Sequence, residues 1–253
     1  MTAVILFVFG AIIGSFLNVL ALRFNSGLTL LGRSQCSSCG KILGSLELVP
    51  ILSFLYLKGR CRDCKTRVSW QYPLVELWTA LLFVTVFNPV ASLVQNILLL
   101  AVFSLYIAIT IYDVRHKIIP DGLVYTSIVL AVIYRFISGG EALDYWAGPI
   151  LAIFFATIWL VSQGRAMGFG DSKLALSIGL LLGGAAGFSA VILAFWIGAA
   201  CGISLVIFSR FYPLLSHGKG ITIKSAIPFA PFLILGAWLG YIFQLDLLHV
   251  SLF

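Results

Sequence analysis

The stretch AVFSLYIAITIYDVRHKIIPD, residues 101–121, passes from an unbroken apolar run into Asp113, then a basic cluster, then Pro120. From Leu93 to Tyr112, twenty residues go by without a charge, the length an α-helix needs to cross a hydrocarbon core. Basic residues directly after such a span mark its cytoplasmic end. Asp113 thus falls at a membrane boundary, where an ionisable side chain is costly and is a functional-site hypothesis by default.

The rest of the chain repeats this pattern. Of its 253 residues, 61% are apolar and 10% charged, with a mean hydropathy of +1.09. A soluble domain carries about a quarter charged residues, so that class is excluded. Eight apolar runs read as spans, at 2–22, 73–88, 93–112, 122–138, 146–162, 172–186, 188–208 and 229–246. The first has no preceding Lys or Arg and no small-residue cleavage site, so it is expected to be retained rather than removed as a signal peptide. The expected fold is an all-α polytopic membrane protein of about eight transmembrane helices. Its parts are a first helix at 1–22, a cytosolic four-cysteine loop at 23–72, and a seven-helix membrane core at 73–253.

With eight spans and an external N-terminus, all sixteen Lys and Arg except Arg135 fall in, or at the edge of, cytoplasmic segments. Glu141, Asp144 and Asp246 fall outside. The net charge of +7 is accordingly a topology signal. No basic patch interleaved with aromatics lies outside the cysteine loop, which argues against a nucleic-acid partner.

The loop carries Cys36-Ser-Ser-Cys39 and Cys61-Arg-Asp-Cys64, separated by 21 residues. This is the spacing of a four-cysteine zinc site, structural because four thiolates leave no open coordination position. Two disulfides or a redox pair are the other reading, disfavoured in a reducing compartment. Gly40, Lys41 and Lys65 follow the two pairs and suit the turns required. A loop of this size is too small to bury a core of its own, and a metal can supply the missing folding free energy. Its apolar segment from Leu46 to Leu57 is expected to rest on the membrane surface or on the helices beneath. Cys201, in mid-span, reads as a buried apolar residue.

A second aspartate, Asp171, closes Gly168-Phe169-Gly170-Asp171 at the start of another apolar run on the same face. Two carboxylates sharing one proton are the machinery of aspartic proteolysis, one activating water while the other protonates the scissile carbonyl or its leaving amine. Gly168 and Gly170 clear side chains from around Asp171 for an approaching backbone. Asp171 could instead simply cap a helix. Asp121, after Pro120, reads as an N-cap. Glu76, just inside the second span, should be neutral, pair with a basic loop residue, or belong to a polar pocket. His116, His217 and His249 show no metal-ligand spacing.

These segments, with Gly14-Ser15-Phe16-Leu17-Asn18-Val19, Pro50-Ile51-Leu52-Ser53-Phe54, Gly59-Arg60-Cys61, Tyr72-Pro73-Leu74-Val75-Glu76, Ile119-Pro120-Asp121, Ser172-Lys173 and Ile227-Pro228-Phe229-Ala230-Pro231-Phe232, resemble the type IV prepilin peptidases. That group of GxGD aspartyl proteases is the bifunctional leader peptidase and N-methyltransferase family. Three places depart from its pattern: Arg23-Phe24-Asn25 lacks the usual proline, Ala230 stands where glycine is commoner, and Ser45 to Val49 lacks the usual aromatic and asparagine. The last lies in the region linked to methyl transfer; the first two are expected to affect loop shape only.

The resemblance implies that Asp113 and Asp171 are the catalytic dyad of a multi-pass protein of the bacterial cytoplasmic membrane. It implies a prepilin or pseudopilin substrate whose basic leader is cut off after a glycine at the cytoplasmic face. It further implies methylation of the new N-terminus from S-adenosylmethionine, for which no GxGxG signature is present and for which Glu76 and the cysteine loop are candidate parts. Two other classes fit the residues: a proton-coupled transporter using paired aspartates, and a non-catalytic pilus-assembly module docking through the zinc loop.

Overall fold

The computed structural model describes residues 1–24, 29, 32–211 and 228–248. Asn25, His217, Ile227 and His249, named above, lie outside the described residues. Nine α-helices and no strand occur among the described residues. They are α1 (Thr2–Arg23), α2 (Leu52–Tyr56), α3 (Gln71–Val86), α4 (Leu93–His116), α5 (Asp121–Ser138), α6 (Ala142–Ser162), α7 (Phe169–Leu182), α8 (Gly184–Phe211) and α9 (Ala230–Phe243). Each of the eight apolar runs becomes a helix, and α2 is a short addition inside the cysteine loop. By length and composition α1, α4, α5, α6 and α8 can each cross a membrane, while α3, α7 and α9 are shorter. The chain is a polytopic helical membrane protein that divides into two compact units, Met1–Ile111 and Tyr112–Phe253.

In the first unit α1 and α3 pack with their backbones nearly touching. A Cβ on Gly10 would come within 2.8 Å of the Ala80 Cα, and one on Gly14 within 2.8 Å of the Glu76 Cα. Small residues at such a seam let helices approach where the hydrophobic effect offers no drive. The opposite face of α1, with Val4, Ile5, Val8, Phe9, Ile12 and Phe16, is exposed, as a lipid-facing surface should be. Pro73 falls in the first turn of α3, where its missing N–H leaves no hydrogen bond unmade.

The second unit uses the same device twice. A Cβ on Gly179 of α7 would lie 2.6 Å from the Gly148 Cα of α6, and one on Gly236 of α9 would run into the Ala190 carbonyl of α8. The Ser127 and Ser177 hydroxyls join α5 to α7 at 3.0 Å, and Ser172 Oγ donates to the Ala152 carbonyl at 2.8 Å.

Arg135, the one basic residue that the charge pattern assigns to the external side, has its place explained by contacts within this unit. It is buried, donates from Nε to the Leu180 carbonyl (3.0 Å) and from a terminal nitrogen to the Leu181 carbonyl (2.8 Å), and pairs with Asp144 at 3.5 Å. It is thus a cap for the last turn of α7, where free carbonyls need donors and favour a cation. The Asp144 carboxylate also accepts the Gly184 N–H at 2.9 Å, at the start of α8.

Helix ends shift by several residues from those read in the sequence, most tellingly between α7 and α8. Residues 183–187 do not continue the run begun at 172. Gly183 has φ +83°, which ends α7 at Leu182, and α8 begins at Gly184 rather than 188. Cys201 is half-buried rather than buried.

Candidate active site and cysteine cluster

Asp113 lies in the last turn of α4, which runs on to His116 instead of stopping at Tyr112. Its carbonyl accepts the Lys117 N–H at 2.7 Å, and Lys117 turns the chain with φ +55°. Asp171 lies in the first turn of α7, which starts at Phe169 with Gly168 as N-cap. Both carboxylates are therefore inside helices, not in flanking loops, and both are buried, with 5% and 7% of their surface exposed. They lie within Coulombic range of each other.

Each carboxylate meets the N-terminus of a helix. Asp171 reaches back to the backbone N–H of its own N-cap, Gly168, so the capping role coexists with its place beside Asp113. Asp113 Oδ2 accepts the backbone N–H of Ala230, the first residue of α9, at 3.2 Å. Three helices thus converge on the pair: the end of α4 and the starts of α7 and α9.

The two glycines do different work. A Cβ on Gly170 would lie 2.8 Å from the Cβ of Ile119, so Gly170 is where the 117–120 connection packs against α7. A Cβ on Gly168 would meet only Asp171 Oδ2, at 3.6 Å, and Gly170 N at 4.0 Å, so the space before the carboxylate is open on that side.

Asp121 is not an N-cap. Pro120 holds that position, and the Asp121 carboxylate instead pairs with Lys173 at 2.6 Å. Lys173 also sits over the rings of Tyr125 (5.0 Å) and Phe169 (5.4 Å), so a single ammonium ties the start of α5 to the start of α7, two residues from Asp171. Ile119, Lys173 and Ala230 lie at the candidate site, although local sequence reading did not single them out as such. The helix-start signature Pro228-Phe-Ala-Pro231 was the available signal for Ala230.

In the first unit, the sulfurs of Cys36, Cys39, Cys61 and Cys64 all lie within 4.8 Å of one another, and those of Cys36 and Cys64 are 3.7 Å apart. Two sulfurs on a tetrahedral zinc with bonds of about 2.3 Å stand about 3.8 Å apart, so the cluster has the shape of a metal centre. The two pairs fold as matching knuckles. Cys36 N–H donates to the Lys41 carbonyl and Cys61 N–H to the Thr66 carbonyl, both at 2.9 Å, while Gly40 (φ +70°) and Lys65 (φ +58°) make the same left-handed turn. Lys41 of one knuckle pairs with Asp63 of the other at 2.7 Å and with Glu47 at 3.3 Å.

The four thiols are not equivalent. The Thr66 hydroxyl and N–H pull Cys64 down to about 6, and the backbone N–H groups of Cys39 and Ser38 lower Cys36. The Lys41 N–H pulls Cys39 down too, but the sulfurs of Cys36 and Cys64 together push it up, to about 11. Four thiolates this close need a cation among them to ionise together.

Between the knuckles, α2 presents Leu52, Leu55 and Tyr56 outward, with Leu46 exposed nearby, and Phe54 packs on Trp70 at 4.9 Å between ring centres. Glu76 pairs with no basic residue among the described residues. Its Oε2 accepts the backbone N–H of Ile51 at 2.7 Å.

Comparison with known proteins agrees with this layout. Residues 8–90 match the bacterial peptidase A24 N-terminal domain and residues 98–203 match the type IV leader peptidase family. The prepilin leader peptidase/N-methyltransferase of Bacillus subtilis (strain 168) is 32% identical over 245 residues, covering 94% of this chain and 93% of that protein. The protein of the same name from Aeromonas hydrophila is 30% identical over 269 residues, covering 93% and 89%. The type 4 prepilin-like proteins leader peptide-processing enzyme of Escherichia coli O78:H11 is 31% identical over 260 residues, covering 90% and 88%. No solved structure matches the chain. With nine-tenths or more of its length aligned to such relatives, and both halves matching the corresponding domains, the chain belongs to the type IV leader peptidase family.

Proposed function

We propose that the chain is an aspartic endopeptidase of the bacterial cytoplasmic membrane that removes the leader of a prepilin or pseudopilin at the cytoplasmic face and then methylates the exposed N-terminus. The observation that carries this reading is the convergence of Asp113 and Asp171 as buried carboxylates in Coulombic range, each steadied by a helix-start N–H. Two like charges so placed share one proton. The ionised carboxylate takes a proton from water, whose oxygen attacks the scissile carbonyl, and the protonated one donates to the carbonyl oxygen. The proton then passes to the leaving amine. Which aspartate carries which role belongs to the pair rather than to either residue.

The open side at Gly168 is where a substrate backbone would approach. A dyad at the bilayer edge suits a substrate whose leader is cytosolic and whose remainder is an apolar helix. The four cysteines would hold zinc, closed to solvent ligands and serving to fold the loop. The methyl group would come from S-adenosylmethionine.

The test is cleavage of a prepilin by the detergent-purified protein. Asp113→Asn and Asp171→Asn should each abolish cleavage while leaving expression and metal content intact. Cleavage retained by either variant removes that residue from the dyad.

A further inference from the structure

Three acidic residues are buried among the described residues: Asp113, Asp171 and Glu76. The first two serve the peptidase dyad, which leaves Glu76 over. It lies in the other compact unit, on the second turn of α3, against the seam with α1 where Gly14 brings the backbones together. Only 7% of the residue is exposed, and none of the ion pairs among the described residues includes it. A buried carboxylate without a counter-charge is costly to keep ionised.

The surroundings hold this carboxylate in place without neutralising it. Ile51 N–H donates to Oε2 at 2.7 Å, and Ser15 adds a side-chain hydrogen bond. To deliver its N–H, Ile51 adopts φ 61° and ψ −51°, with Leu52 N–H closing back on the Pro50 carbonyl at 2.6 Å. This is a γ-turn of the rare strained kind, here on a β-branched residue, a conformation that persists only where the surroundings hold it. Beside it, Asn18 donates to the Tyr72 and Gly14 carbonyls and accepts from Gln71, so the neighbouring polar groups satisfy one another. A carboxylate accepts about four hydrogen bonds, and Ile51 and Ser15 account for two. The site therefore has acceptor capacity left, and a small cation with several donors would supply the counter-charge that the carboxylate lacks.

On the reading of the chain as a peptidase and N-methyltransferase, we infer that Glu76 binds the α-ammonium that leader cleavage exposes and takes its proton before methyl transfer. An ammonium cannot be methylated, because its nitrogen has no lone pair. The N–H bond breaks toward Glu76, which becomes the neutral acid, and the nitrogen keeps the electron pair. The N–CH3 bond then forms as the S–CH3 bond of the sulfonium donor breaks, its pair staying on sulfur as the thioether. The product is a methylammonium, and Glu76 returns its proton to water. The ligand class is thus a primary ammonium heading an apolar peptide.

The test uses a peptide supplied already cleaved, so neither peptidase activity nor a methyl donor is needed. A fluorescently tagged peptide starting at the mature N-terminus, with a free α-amine, is compared with its N-acetylated twin for binding to the full-length protein in detergent. The wild type should prefer the free amine by roughly tenfold or more, as a charge-assisted hydrogen bond provides. Glu76→Gln keeps an oxygen for the Ile51 N–H but removes the charge, and the preference should vanish. A preference that survives in Glu76→Gln overturns the assignment. A second measurement needs no variant: a hydrophobic carbodiimide should label Glu76 of the wild type, and the free-amine peptide, but not the acetylated one, should slow that labelling. Equal labelling with both peptides also overturns it. Failure of the wild type to cleave any prepilin would instead strike the functional reading itself.

Discussion

Gly170→Ala isolates how the connection between α4 and α5 positions the dyad. The new methyl would stand 2.8 Å from Ile119 Cβ and 3.3 Å from its Cγ1 and Cδ1, against an optimum of about 3.5–4.0 Å for carbon pairs. Ile119 has little freedom to yield. It is β-branched, so its χ1 is stiff, and it precedes Pro120, so its backbone is confined to extended conformations. The displacement passes to the segment that begins at Asp113.

Overpacking of this kind costs about 1–3 kcal/mol, and the better helix propensity of alanine returns up to about 1. A net ~1–2 kcal/mol appearing in the transition state lowers the cleavage rate about 5- to 30-fold. Initial rates of leader removal, with melting followed in parallel, measure this. Ile119→Gly deletes all three atoms that the methyl meets. In that background Gly170→Ala should cost at least about 1 kcal/mol less, a coupling that a double-mutant cycle resolves. Gly168→Ala is the steric control, because its methyl meets Asp171 Oδ2 only at 3.6 Å; it should show no coupling to Ile119→Gly, and any loss of stability reflects alanine at the N-cap. A wild-type rate for Gly170→Ala, or strict additivity with Ile119→Gly, would refute the reasoning.

Three other outcomes follow from the same contacts. In chelator-treated protein at pH 7, iodoacetamide should modify Cys64, lowered to about 6, well before Cys39, raised to about 11, and Thr66→Val should slow Cys64; the reverse order on a peptide map counts against the knuckle electrostatics. Gly179→Ala drives a methyl into the Gly148 backbone at 2.6 Å, which no rotamer change relieves, so its melting temperature in detergent should drop by an amount equivalent to about 1–3 kcal/mol. Arg135→Met strands the Leu180 and Leu181 carbonyls and Asp144, and should destabilise by about 2–4 kcal/mol, while Arg135→Lys recovers part; equal stability of the two variants would show that the cap is not what holds Arg135.

What the sequence discloses here depends on whether the deciding interaction is local. Apolar length sets the helices: each of the eight runs read as a span became a helix, five of them long enough to cross a membrane. The knuckles are equally local, since a CxxC pair and the left-handed residue after it close a turn within six positions. The end of α7 was misplaced because Gly183 reads as one of several small residues, whereas its positive φ is fixed by Arg135 and Asp144 from two other helices. Asp121 after Pro120 has every mark of an N-cap, and only Lys173, 52 positions on, turns it outward into an ion pair. Glu76 offered three alternatives, and the choice among them lay with Ile51, 25 residues earlier in a turn that no propensity scale favours.

Ala230 shows how a departure from the family pattern can leave the chemistry intact. Asp113 occupies the C-terminal turn of α4, the end at which a helix disfavours negative charge. The start of α9 offsets this by supplying a positive helix end and one N–H. Of the first N–H groups of α9, Pro231 has none and those of Phe232 and Leu233 close on the Phe229 carbonyl. The Ala230 N–H is the one that goes to the carboxylate. Its direction is fixed by the preceding residue: Phe229 is set among the rings of Phe155, Phe195 and Phe232 at 5.2 to 6.3 Å. Because the donor belongs to the backbone, alanine supplies it as well as glycine. The added methyl is fully buried, and alanine has less backbone freedom to lose at this position. The exchange of glycine for alanine therefore touches more than loop shape: it stiffens the helix start that aims a hydrogen bond at Asp113, and leaves the bond itself unaltered.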